Sequence, residues 1–184
     1  MSVPYGIQLA GEGGQGVVLA ALILAEAAAM YDGKHVAQSA AYGPEARGGL
    51  TKSELVISDE EIDYPRVVEA DLLLAMNQDA CDKYLPMLKK DGVLIVDSVN
   101  VERVPDARAH AVPITRIAEE VTGRAVTANV VAVGVIVALS GAVSPGAVEK
   151  AVAARAPRGT RELNLQALHA GMEAARDERL ENRD

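Results

Sequence analysis

Ile7-Gln8-Leu9-Ala10-Gly11-Glu12-Gly13-Gly14-Gln15-Gly16-Val17 opens the interpretable part of the chain, and from Val17 to Met30 the only charged residue is Glu26. Ile7 to Ala10 is a short apolar run that enters a glycine-rich turn, and the stretch after it has helical length. The reading is strand, tight turn, helix. A helix apolar around its whole circumference must be covered on more than one side. Asp32-Gly33 ends it, and Val36 to Ala41 leads into a second glycine-rich loop, Tyr42 to Leu50.

The same rhythm continues. Glu54 to Ile57 reads as a strand, Asp59 to Pro65 as a polar turn, and Asp71 to Met76 as a strand. Asn77 is placed to cap a helix running through Cys81 and Tyr84 to Leu88. Val93 to Val96 is an uninterrupted run suited to a strand buried on both faces, with Asp97 at its carboxyl end. Ala109 to Val112 follows as a short strand, and Thr115 to Val121 as a helix closed by Gly123. Val130 to Leu139 fits a buried strand or a buried helix on periodicity alone. Gly146 to Arg155 and Glu162 to Arg176 read as helices, and Asp177 to Asp184 as a charged, frayed tail. The prediction is one α/β domain over residues 1–184, with a mostly parallel, Rossmann-like sheet flanked by helices on both faces. Both glycine-rich loops then lie at the carboxyl ends of strands, where such folds bind ligands.

The chain has 184 residues, 26 acidic against 18 basic, and a formal charge of -8. That gives no electrostatic reason to approach nucleic acid or an anionic membrane. The run from Ala125 to Val148 is uncharged but interrupted by glycine, serine, asparagine and proline. Its dense part falls short of the ~20 apolar residues of a membrane span. Met1 to Gly6 lacks a basic segment and apolar run, so no signal peptide is indicated and a cytoplasmic protein is expected. Cys81 is the only cysteine. The chain therefore cannot build an internal disulfide or hold an iron–sulfur cluster by itself.

Gly11, Gly13 and Gly16 satisfy the dinucleotide pattern G-x-G-x-x-G at the strand-to-helix position where it works. Its chemistry is the close approach of backbone N–H groups to a phosphate, aided by a helix N-terminus. A nicotinamide site also needs an acid at the end of the second strand, and Ser39 to Tyr42 supply none. No lysine followed by serine or threonine succeeds Gly16, so a Walker loop fails too. Glycines that merely allow tight strand–helix packing satisfy the same pattern. His35, His110 and His169 lie in separate segments without metal-ligand spacing. Asp97 is a functional candidate by position, and an acid capping the next turn by chemistry.

Residues 11–17, Gly-Glu-Gly-Gly-Gln-Gly-Val, together with Tyr42-Gly43-Pro44-Glu45-Ala46-Arg47-Gly48-Gly49, resemble the two signatures of gamma subunits of 2-oxoacid:ferredoxin oxidoreductases. The likeness extends from Ile7 to about Ala175, and it favours a helix for Val130 to Leu139. It implies oxidative decarboxylation of a 2-oxoacid to its acyl-coenzyme A, with electrons passed to ferredoxin, by a complex in which this chain has no activity alone. Thiamine diphosphate and iron–sulfur clusters are implied in partner subunits, alpha, beta and a ferredoxin-like delta, and part of the surface of the uncharged segments Val17 to Met30 and Val130 to Leu139 is expected to be buried against them. The Pro-Glu-Ala-Arg-Gly-Gly form is similar to enzymes of 2-oxoglutarate more than of indolepyruvate, with the same subunit of a pyruvate or branched-chain enzyme, or a stand-alone Rossmann-like nucleotide-binding protein, as alternatives. Coenzyme A is the anion implied for the loops. The candidate cofactor-contacting residues are Gly11, Gly13, Gly14, Gln15, Gly16, Tyr42, Arg47, Gly48 and Gly49. No catalytic residue and no metal ligand is assigned.

Overall fold

The computed structural model describes residues 4–43, 49–104 and 108–181. Its strands are β1 (Tyr5–Glu12), β2 (His35–Tyr42), β3 (Leu50–Ser58), β4 (Ala70–Ala75), β5 (Leu88–Asp97) and β6 (His110–Val112). They form one sheet in the order β2-β3-β1-β4-β5-β6. The helices are α1 (Val17–Glu26), α2 (Gln78–Tyr84), α3 (Ile114–Thr122), α4 (Ala128–Ser140), α5 (Pro145–Arg155) and α6 (Arg161–Glu181). A π-helical turn, Ala27–Tyr31, extends α1.

β1, β4, β5 and β6 pair in parallel, whereas β3 is antiparallel to both of its neighbours, β1 and β2. The sheet is mostly parallel, with one reversed strand that the sequence reading did not separate out. The reason is the length of the β2–β3 connection. Residues 43–49 are too few for the crossover that a parallel partner needs, so the chain turns back as a hairpin. β2 is left as an edge strand, uncharged apart from His35 and free of proline.

Alternation along the strands divides the core. Ile7, Leu9, Leu55, Ile57, Leu72, Leu74 and Ile95 join the cluster formed with α1, α3, α4, α5 and α6. Ala10, Leu73, Ala75, Leu94 and Val96 face Ala80, Cys81 and Tyr84 of α2. Helices do lie on both faces, but five to one. Burial, helped by Asp82, pushes the Cys81 thiol up from its ordinary range. Asn77 caps α2 as expected, accepting the Ala80 N–H at 2.9 Å. Gly123 closes α3 with φ 69°.

Four boundaries differ from expectation. β3 starts at Leu50 rather than Glu54, because Thr51 and Ser53 are polar residues buried within the sheet's helical side. α2 stops at Tyr84, gives a 3₁₀ turn over Leu85–Met87, and β5 begins at Leu88. α1 gives way to the π-helical turn before Met30. α6 continues to Glu181 rather than fraying after Arg176, and Glu178 meets His110 of β6 across the gap between helix and sheet.

The valine-rich run is α4, and eleven of its thirteen residues are buried. Its cover comes from within the chain: α6 lies directly on it. A side chain at Gly134 would strike the carbonyl oxygen of Leu168, and one at Gly171 that of Val131. The two backbones touch where both residues lack a β-carbon. The expectation that α4 is covered partly by other subunits is therefore corrected. α1 is different, since Leu19 remains 43% exposed.

Gly134→Ala is expected to destabilise the protein by about 3 kcal/mol or more, since backbone rather than a flexible side chain occupies the space. Gly146→Ala, at an open helical position in α5, should instead stabilise it by roughly 0.5–1 kcal/mol. Urea unfolding of the two variants checks both signs.

Candidate functional site

The antiparallel pairing of β1 with β3 ends with Glu12 opposite Leu50. One step further the Gly13 N–H donates to the Gly49 carbonyl at 3.0 Å, and the Gly43 N–H donates to Leu50 at 2.8 Å. The two glycine-rich segments, apart in sequence, are thus joined by backbone hydrogen bonds. Of the candidate residues, Gly11, Gly13, Gly14, Gln15, Gly16, Tyr42 and Gly49 fall in this corner. Arg47 and Gly48 lie outside the described residues.

Gln15 holds the corner together. Its side-chain oxygen accepts the Glu12 N–H at 2.6 Å, and its amide nitrogen donates to the Met76 carbonyl at the end of β4 at 3.0 Å. With both ends used, Gln15 clamps the turn to β4 at the wall of a cleft. Gly11 packs too closely against Gln15 and Met76 for a β-carbon. Gly16 is in the left-handed region at φ 73° and lies against the Asn129 side chain, where a β-carbon would stand 2.8 Å from the amide nitrogen. Packing explains those two glycines. Gly14 is another matter: its φ is 107°, and a β-carbon there would meet nothing within 4 Å.

Gly16 is also the N-cap of α1, and no side chain caps that helix end. The first-turn N–H groups are thus left without a side-chain partner beside Gly14, the arrangement that favours an anion. Two clefts flank Gly14. One, of about 380 Å³, is lined by Glu12, Gly13, Val18, Leu22, Tyr42 and Thr51 among others. The other, of about 360 Å³, lies between Gln15, Asn100, Thr115 and Val126. Tyr42 is 72% exposed at the end of β2, with an apolar ring available to a ligand or a partner.

Asp97 has a structural task. Fully buried, it accepts the N–H groups of Val99 and Thr115, the Thr115 hydroxyl at 2.5 Å and the Asn100 amide at 2.7 Å. It therefore caps the turn after β5 and fixes the start of α3. The histidines are spread out: His110 meets Glu178, and His169 meets Glu149 at 2.8 Å. Sequence reasoning missed Val18, Leu22 and Thr51 as cleft residues. Their signals are faint, a helical i, i+4 pair and a threonine two places after Gly49.

A family model described as pyruvate ferredoxin/flavodoxin oxidoreductase matches residues 6–174. The chain belongs to that family. The 2-oxoglutarate synthase subunit KorC of Methanocaldococcus jannaschii is 45% identical over 175 residues, which are 93% of this chain and 94% of KorC. A gamma subunit of a keto/oxoacid ferredoxin oxidoreductase from Geobacter sulfurreducens superposes with a TM-score of 0.87 at 46% identity, covering 95% of this chain and 98% of that one. A 2-oxoglutarate:ferredoxin oxidoreductase from Magnetococcus marinus, solved with 2-oxoglutarate, coenzyme A and succinyl-CoA bound, shares the fold. Its TM-score is 0.84 at 22% identity, and the match covers 95% of this chain and 31% of that chain. The oxidoreductase subunit thus matches its gamma-type relatives along nearly their whole length. Among the described residues no helix is long and apolar enough to cross a membrane.

Gln15→Glu tests the clamp. The introduced carboxylate can still accept from Glu12 but would face the Met76 carbonyl without a proton to donate, a loss of about 1–3 kcal/mol at pH 8. Its folded pKa is thereby raised above the unfolded ~4.3, so the penalty is absent below that pH and grows as pH rises through the folded value. The difference in thermal midpoint from the wild type should be smaller at pH 5 than at pH 8.

Proposed function

We propose that this gamma-type subunit serves a cytoplasmic 2-oxoglutarate:ferredoxin oxidoreductase, and that its Gly13–Gly16 turn, with Arg47, holds coenzyme A for the acyl-transfer half of the reaction. In the overall reaction the 2-oxoacid loses carbon dioxide, the remaining acyl group is joined to the coenzyme A sulfur, and the released electrons go to ferredoxin. With one cysteine, the chain lacks the thiolates for a cluster of its own. Thiamine diphosphate and the clusters then belong to the alpha, beta and delta-type partners.

The observation that carries the coenzyme A reading is the corner where the Gly13 N–H meets the Gly49 carbonyl beside the uncapped end of α1. Coenzyme A brings several phosphate charges, and an acidic chain must offset its own repulsion locally. Backbone N–H groups, the α1 N-terminus and a guanidinium can do that. The open space at Gly14 is where such a group has room. Glu12, exposed on the cleft wall, opposes an anion there. Its effect is a measurable one: Glu12→Gln should tighten coenzyme A binding by a few-fold, the ~0–1 kcal/mol of an exposed charge interaction. Packing accounts for Gly11 and Gly16 and the positive φ for Gly14, while the open space at Gly14 is what a ligand could use.

Two experiments test this function. The isolated chain given 2-oxoacid, coenzyme A and ferredoxin should reduce nothing, while the complex purified with its partners should prefer 2-oxoglutarate over pyruvate and branched-chain oxoacids. In that complex Gly14→Val and Arg47→Ala should weaken coenzyme A binding at least ~10-fold, about 1.4 kcal/mol, and spare the coenzyme-A-independent decarboxylation. Unchanged coenzyme A affinity in an intact complex would return the loops to packing alone.

A further inference from the structure

A third cavity, of about 200 Å³, opens on the helical side of the same corner. Its walls come from α1 (Leu19 and Ile23), the first turn of α4 (Asn129), the end of α5 (Arg155) and the α5–α6 turn (Thr160). Asn129 is 6% exposed, yet its side-chain amide has no hydrogen-bond partner among the described residues. Its amide atoms stay open to solvent, and a segment seated in the cavity would take the solvent's place as their hydrogen-bond partner.

The rim points to what enters. Leu19 is 43% exposed and Val126 is 70% exposed, two large apolar side chains at the mouth. Arg124 also lines it, exposed and without a carboxylate partner among the described residues. Arg155 lines it too, and its Nε donates to Glu26 at 2.5 Å. Arg158 on the adjoining turn and Arg161 at the start of α6 stand exposed, also without an acidic partner among the described residues, and Glu162 is the only acid of residues 156–162. In a chain of net charge -8 this is a local concentration of unneutralised guanidinium groups. The volume is below the ~300–1,000 Å³ of pockets for small molecules and suits a single anchoring side chain.

We propose that this cavity is the socket for a segment of a partner subunit in which one large apolar side chain is flanked by aspartate or glutamate. The apolar group fills the space between α1 and the α5–α6 turn, the segment's backbone pairs with the Asn129 amide, and the carboxylates meet Arg124, Arg158 and Arg161. The surface works as an anchor pocket with a charged rim, the pattern in which a few residues carry most of an association. The socket rests on the chain acting as one subunit of a complex.

The test uses the full chain and its co-expressed partner subunits. Arg124→Glu and Val126→Asp, both at exposed positions, should each raise the dissociation constant of the chain from the other subunits at least ~10-fold, with the thermal midpoint of the free chain unchanged. A photo-crosslinking residue at position 126 should capture a partner-subunit peptide that carries an apolar residue beside acidic ones. Affinity within twofold of wild type in both variants, or a captured peptide without acids, overturns the socket. A change in coenzyme A or oxoacid KM in Arg124→Glu, whose side chain lines this cavity and neither cleft at Gly14, with assembly intact assigns the cavity to a small molecule instead and also overturns the socket. A wild-type chain that fails to join the partner subunits would sink the subunit reading itself, a result separate from failure of the variants alone.

Discussion

Because side chains alternate along a strand, the register of β1 against β3 sets two things at once. With Ile7 opposite Leu55 and Leu9 opposite Ser53, the apolar residues of β1 face the thick helical layer. A slip of one residue would turn them to the other face. The same register ends with Glu12 opposite Leu50, and so carries the two glycine-rich loops to within one hydrogen bond of each other. Core and site therefore stand or fall on one ladder. Gln15 ties that ladder's open end to β4, which makes the glycine turn a continuation of the sheet rather than a free loop.

The unequal distribution of helices follows from composition. The helical side collects the branched residues of β1, β3, β4 and β5, and such a surface needs a layer deeper than one helix. α4 occupies its centre and is apolar on every side, which only a second tier can accommodate. α6 supplies it, brought to backbone contact by Gly134 and Gly171. The opposite side presents smaller residues, such as Ala10 and Ala75, and the short α2 suffices there.

Local signals were legible where the chemistry is local. Asn77 as a cap, Gly123 as a helix end and the strand–turn–helix around Gly11 to Val17 depend on nearby residues alone. The reversed strand β3 was not separated out, because the identity of its neighbours is a property of topology. Thr51 and Ser53 look like loop residues until the helix above them is known. At the site, both loops could be read and their meeting could not, since it follows from a register between distant strands. Gln15 was marked as a cofactor contact by motif membership, and the brace that its hydrogen bonds form between the turn and β4 could not be read from the motif. Asn129 carried only the start of a buried helix in the sequence, and its unpaired amide is visible only once Gly16 and the α5–α6 turn are in position.

The bare edge of β2 bears on how the subunit must be made. Eight residues of backbone with no proline, no bulge in their pairing to β3, no carboxylate, lysine or arginine, and no further strand beside them among the described residues form a surface on which another extended chain can add. Subunits synthesised in excess of their partners would meet one another by that edge at a rate rising with the square of their concentration. Matched production of the subunits, or prompt degradation of surplus copies, is the cellular counterpart of an edge that carries no protection of its own.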